Sequence, residues 1–173
     1  MSSSSFSKEK HWFALYTKPR QEFKASIQLT KMTIENYLPT LTKVKKWSDR
    51  KKKVTEPIFR GYIFIKADEK ERLLSLSQNA IVRCITFEGK PSIVPEWQIE
   101  SLKSLLTTSP EVFVSNKIEL GAKVKIIDGP FSGVLGIVKG VQEEKWLAVS
   151  VDLINCSVMV RLSKESIVKF LEN

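Results

Sequence analysis

The sequence predicts an α+β chain in two parts: a βαββαβα domain of antiparallel sheet and helices, followed by a small SH3-like β-barrel. Three observations carry this. Strand-like and helix-like periodicities alternate from Trp12 to Leu106; the pattern breaks over Thr107 to Lys117, where Pro110 and polar residues gather; and beyond it short valine-rich runs are separated by glycine turns. The expected limits are a polar tail at 1–10, a first domain at 11–106, a linker at 107–117 and a second domain at 118–173.

Within the first domain, Trp12 to Thr17 is an apolar, β-prone run closed by Lys18-Pro19. From Arg20 on, Phe23, Ile27, Thr30 and Ile34 recur at helical spacing, with Ala25 and Leu29 adjoining, and predict an amphipathic helix. Tyr37 to Trp47 and Val54 to Lys66 read as strands of a long hairpin, with Ser48-Asp49-Arg50 at its turn. Alternation along the second of these puts Tyr62 and Phe64 on one face, and Phe59 and Ile63 on the other. Asp68 followed by Glu71, ahead of Leu73, Leu74 and Leu76, has the form of a capping box and starts a second helix. Ile81 to Phe87 alternates as a strand and turns at Gly89-Lys90-Pro91. Pro95 opens a third helix, whose Ile99, Leu102, Leu105 and Leu106 form one apolar face.

The second domain offers five strands: Lys123–Ile127, Val134–Val141, Trp146–Leu153, Val158–Leu162 and Ile167–Phe170. Gly129, Gly133 and Gly136 are read as turn residues, and Val124, Ile126 and Phe131 as barrel filling.

Charge separates the two parts. Residues 1–110 hold 20 Lys+Arg against 11 Asp+Glu, whereas residues 111–173 hold 8 of each, so the whole net charge of +9 lies in the first part. A basic surface attracts phosphate without regard to sequence; a neutral one gains nothing of the kind. Different partners are expected for the two domains. The start lacks a secretory apolar run, and no stretch approaches the roughly 18 apolar residues of a membrane span, so a cytoplasmic protein away from membranes is expected; a monomer is expected as well. Cys84 and Cys156 lack CxxC partners and read as small apolar residues rather than a disulfide or zinc site. With one histidine, His11, and no phosphate loop or ligand cluster, neither catalysis nor a metal or cofactor is expected.

The segment G-A-K-V-K-I-I-D-G-P-F-S-G-V-L-G-I-V, Gly121 to Val138, resembles a KOW motif, and the domain before it resembles the NusG N-terminal (NGN) domain. Together they resemble the NusG family of transcription elongation and antitermination factors. Three details resemble its specialised RfaH- and UpxY-type members, the latter regulators of capsular polysaccharide operons: Trp47-Ser48-Asp49-Arg50-Lys51-Lys52-Lys53 leading into Glu56-Pro57-Ile58-Phe59, Gly89-Lys90-Pro91 to Val94-Pro95, and Leu153-Ile154-Asn155. An RNA-binding or ribosome-associated KOW protein is the second reading.

The resemblance implies that the β′ clamp helices of RNA polymerase seat against Tyr16, Phe59, Tyr62 and Phe64. Aromatic rings suit that task because they give large, stiff contact area at low entropic cost. It also implies DNA near the transcription bubble as the target of the basic residues. These are Lys43, Lys45, Lys46, Arg50, Lys51, Lys52 and Lys53 around the stacking face of Trp47, extended by Lys18, Arg20 and Lys24. The barrel's partner, by the same resemblance, is ribosomal protein S10, or less readily the termination factor Rho, met through the loop that contains Ile154. Leu73-Leu74-Ser75-Leu76 stands where RfaH has a polar motif for the polymerase gate loop, a departure from that pattern.

Overall fold

The computed structural model describes residues 8–46, 50–109, 111–117, 119–141, 144–163 and 166–171. It is α+β, as expected, and forms two compact units that divide between Ile93 and Val94.

The first unit runs β1 (His11–Thr17), α1 (Glu22–Lys31), β2 (Glu35–Tyr37), β3 (Thr40–Lys46), β4 (Lys51–Pro57), β5 (Tyr62–Ala67), α2 (Glu69–Ser75), β6 (Ile81–Cys84), β7 (Thr86–Phe87) and β8 (Lys90–Pro91), with β9 (Ile93–Val94) at its end. Its sheet has the order β2-β5-β1-β6, and β1 pairs antiparallel with both β5 and β6. One face carries Phe13, Leu15, Ile63 and Ile65 into a core shared with Ala25 and Leu29 of α1. The helix therefore turns its 22/25/29 stripe inward and leaves Phe23 and Ile27 43% and 57% exposed, opposite to the expected phase. Ala25 lets the helix approach closely, and Glu22 joins the buried stripe because its carboxylate accepts the Gly61 N–H at 2.8 Å.

The expected capping box is present. Asp68 Oδ1 accepts the Glu71 N–H at 2.8 Å, and Glu71 Oε2 accepts the Asp68 N–H at 3.1 Å. Leu73 and Leu74 nevertheless stay exposed, while Arg72 is buried against Phe13, 5.9 Å from the ring centre, and pairs with Glu69. The β7–β8 turn falls at Glu88-Gly89, both at positive φ, rather than at Gly89-Lys90-Pro91.

The second unit begins with α3 (Glu96–Thr108), which the sequence reading had placed in the first domain. β10 (Phe113–Ser115), β11 (Ala122–Asp128), β12 (Leu135–Val141), β13 (Glu144–Val151), β14 (Cys156–Arg161) and β15 (Ile167–Phe170) follow, in the sheet order β10-β14-β13-β12-β11-β15. α3 lies over β12 and β13: Gln98 Nε2 donates to Asp152 Oδ2 at 2.8 Å, and Ser101 Oγ accepts the Leu135 N–H at 3.1 Å. The expected linker is structured in part, since Phe113–Ser115 pairs with β14 and Phe113 meets Trp146 edge to face. Val124, Ile126 and Phe131 are buried, as expected. Gly129 and Gly133 turn the chain at positive φ, but Gly136 sits within β12, where a Cβ would stand 2.6 Å from the Ala148 carbonyl oxygen. Cys84 is buried and Cys156 half-buried; both are free thiols, and burial raises both pKa values.

Candidate functional site

Tyr16 ends β1 and Tyr62 starts β5, and the antiparallel register makes them direct Cα partners. Their rings meet edge to face with centroids 5.5 Å apart, and both remain half-exposed. On the other side of Tyr16, its β6 partner is Arg83, whose guanidinium lies 5.9 Å from the ring centre. Tyr62, Tyr16 and Arg83 thus form a row across three strands. Such T-shaped and cation–π contacts each contribute about 0.5–1 kcal/mol and hold the rings in defined orientations.

The row is seated on Gly61. This residue adopts φ +82°, and an added Cβ would lie 3.1 Å from Tyr16 Cε2. Its N–H is held by buried Glu22, and its carbonyl accepts the Thr17 N–H at 2.8 Å. The same turn explains Phe59. Because the Tyr62 N–H closes back on the Phe59 carbonyl at 3.3 Å and strand β5 begins only at Tyr62, simple alternation does not extend to residue 59. Phe59 packs edge to face on Phe64, with centroids 6.2 Å apart, although alternation had placed the two on opposite faces. At 3% and 0% exposure these two rings are packing residues in this structure, in contrast to the two tyrosines.

Next to the row lies a cleft of about 570 Å³ whose walls include Tyr16, Arg20, Phe23, Pro57 and Arg60. It connects Tyr16 to the base of the β3–β4 ribbon. Phe23, Arg60 and Arg83 were not among the expected site residues. Phe23 fits a helical apolar stripe equally well, and the two arginines become relevant only through register and the Gly61 turn.

The ribbon is a separate two-stranded sheet, paired from Thr40↔Pro57 to Lys46↔Lys51. Lys43, Lys45, Lys46, Arg50, Lys51, Lys52 and Lys53 are all exposed, and Trp47 lies outside the described residues. Lys45 forms an ion pair with Glu56, and that hydrogen bond holds the Glu56 carboxyl below its ordinary pKa. Lys18, Arg20 and Lys24 are exposed around the β1–α1 turn, and Arg20 adopts φ +61°.

In the second unit, Ile154 closes a 3₁₀ turn (Asp152–Ile154) and is 8% exposed, while Asp152 and Asn155 beside it are exposed. Glu119 is buried and accepts from Lys139 Nζ at 2.8 Å, which lowers its pKa. Among the described residues no cluster of His, Cys, Asp and Glu could hold a metal ion, and no helix is long and apolar enough to cross a membrane.

The first unit's antiparallel sheet, with its helices and cationic ribbon, is followed by a six-stranded antiparallel sheet in the second unit, and a family profile over the first part of the chain places it in a class of transcription factors. A family profile described as transcription termination factor nusG matches residues 10–103, and the chain belongs to the NusG family. A solved structure described as domain interaction in Thermotoga maritima NusG is 20% identical, with 95% of this chain and 98% of that one covered and a TM-score of 0.50. Conformation B of the MjSpt4:Spt5 complex is 18% identical over 94% of this chain and 97% of that one, with a TM-score of 0.32.

Proposed function

We propose that this protein binds RNA polymerase through the Tyr62–Tyr16–Arg83 row and suppresses pausing or termination while its lysine ribbon contacts DNA near the transcription bubble. The observation that carries the reading is the row itself: two half-exposed aromatic rings, held in place by register and by Gly61, in the unit that matches the NusG family. The partner surface is the tip of the β′ clamp helices. Packed, oriented tyrosines supply area and a hydrogen-bonding hydroxyl at the rim, the combination that concentrates binding energy in interfaces. Phe59 and Phe64, packed on each other and buried, lie outside the exposed surface of the row.

A protein anchored on the clamp and touching DNA favours the closed, elongating polymerase by its differential affinity for that state. No covalent chemistry is required. The lysine run and its neighbours favour an RfaH- or UpxY-like role at specific operons, capsular polysaccharide genes among them. The neutral barrel suits a protein partner, ribosomal protein S10 before Rho, reached at the Asp152–Asn155 loop. Affinity purification of the full chain from its host tests the reading. Polymerase subunits are the expected co-purifying proteins, together with shortened pauses in a purified transcription assay; ribosomal subunits or free RNA in their place would reject it.

A further inference from the structure

Strand register distributes the ribbon's charge over both of its faces. Lys46 stands directly opposite Lys51, Val44 opposite Lys53, Lys45 opposite Lys52, and Lys43 opposite Val54. Side chains alternate along each strand, so Lys46, Lys51 and Lys53 share one face while Lys43, Lys45 and Lys52 share the other. Each face presents three lysines. Like charges directly opposite one another destabilise a strand pair, and an isolated two-stranded ribbon is marginal in water. Within the ribbon, the Thr42–Thr55 hydroxyl contact at 2.8 Å offsets this near its base, and Glu56 reaches from the base to pair with Lys45 on one face. The Lys46/Lys51 and Lys45/Lys52 pairs sit toward the tip, where a polyanion would relieve their repulsion.

The form of that polyanion follows from the two-sidedness. A single strand brings one line of phosphates and neutralises one face. The major groove of duplex DNA brings two phosphate walls and, at about 12 Å wide, admits a two-stranded ribbon. Seven residues per strand extend about 23 Å at 3.3 Å per residue, long enough to span that groove. We propose that the β3–β4 ribbon enters the major groove of duplex DNA with its two lysine faces toward the opposite phosphate walls. This rests on the reading above that the ribbon meets DNA, and it names the duplex as the form met. Lysines on phosphate position without reading bases, so the contact is independent of sequence.

The test uses the full chain, a 20-base-pair duplex and one of its separated strands, titrated by fluorescence anisotropy over a range of salt. Lys46→Ser with Lys51→Ser removes charge from one face, Lys45→Ser with Lys52→Ser from the other, and arginine replacements at the same sites restore it. The duplex is expected to bind more tightly than the strand. Each serine pair should lower the slope of log K against log salt by about 2, the two together by about 4, and arginine should restore it. Guanine N7 atoms in the bound duplex should be protected from dimethyl sulfate. Tighter binding to the single strand, loss of slope from one face only, unprotected guanines, or no duplex binding at low salt would each overturn the proposal. Polymerase binding by the same variants keeps the two readings apart: if it persists while the duplex results fail, groove entry alone is wrong.

Discussion

Tyr16 and Tyr62 are Cα partners across β1 and β5, and their rings meet at 66° with centroids 5.5 Å apart. The pair joins two parts of the molecule that chemistry would otherwise keep separate. Through Tyr16 it continues to Arg83 and borders the cleft at the base of the lysine ribbon.

Gly61 should be the most sensitive position beneath the pair. Alanine there is forced into a left-handed conformation that costs about 1–2 kcal/mol, and its methyl pushes against the Tyr16 ring. Urea unfolding of Gly61→Ala should show that loss, together with a changed tyrosine near-ultraviolet signal.

Glu22 gives a related prediction. Glu22→Ala leaves the Gly61 N–H without its acceptor and should cost about 1–3 kcal/mol in chemical unfolding. Glu22→Gln keeps a carbonyl acceptor and should cost less.

Much of the fold was legible in the sequence where a signal is local. The Asp68/Glu71 capping box needs only residues three apart, and the strands of the second unit announce themselves by valine content and glycine turns. What depends on partners distant in sequence was not legible. Phe23 and Ile27 fit a helical stripe as well as Ala25 and Leu29 do, and the close approach of the sheet, with Gly61 offering an N–H to Glu22, selects the other face. The third helix shows an apolar side without showing what covers it, so its hydrogen bonds from Gln98 to Asp152 in the turn after β13 and from the Leu135 N–H of β12 to Ser101 were not legible. Tyr16 and Tyr62 were identified, but Arg83 enters the site only through β1–β6 register.

Gly136 and Gly140 lie in the same strand and should respond in opposite ways. Gly136→Ala places a methyl 2.6 Å from a backbone oxygen and should destabilise the second unit by about 1–3 kcal/mol. Gly140→Ala meets nothing within 4 Å and should be neutral or slightly stabilising in thermal unfolding.

The Glu119–Lys139 pair predicts an acid-sensitive second unit. Its folded carboxyl pKa lies below the ordinary 4.5, so the unfolded chain takes up a proton first as pH falls. The stabilisation is therefore complete above about pH 4.5 and is lost as pH drops through the lower folded value. Unfolding midpoints measured from pH 7 to pH 3 should fall less steeply for Glu119→Gln, which starts from a lower stability at pH 7.

The most direct test of polymerase recognition is the affinity of the full chain for purified core RNA polymerase, measured for the parent, Tyr62→Ala and Phe87→Ala. Phe87 is 71% exposed on the β7–β8 hairpin, outside the row, and serves as the aromatic control. Loss of a central aromatic anchor costs about 2 kcal/mol, so Tyr62→Ala should weaken binding about 30-fold in a protein that still folds cooperatively, its unfolding midpoint lowered only by the loss of the Tyr16 contact, while Phe87→Ala binds as the parent does. Parent-like affinity in a folded Tyr62→Ala protein would contradict the account.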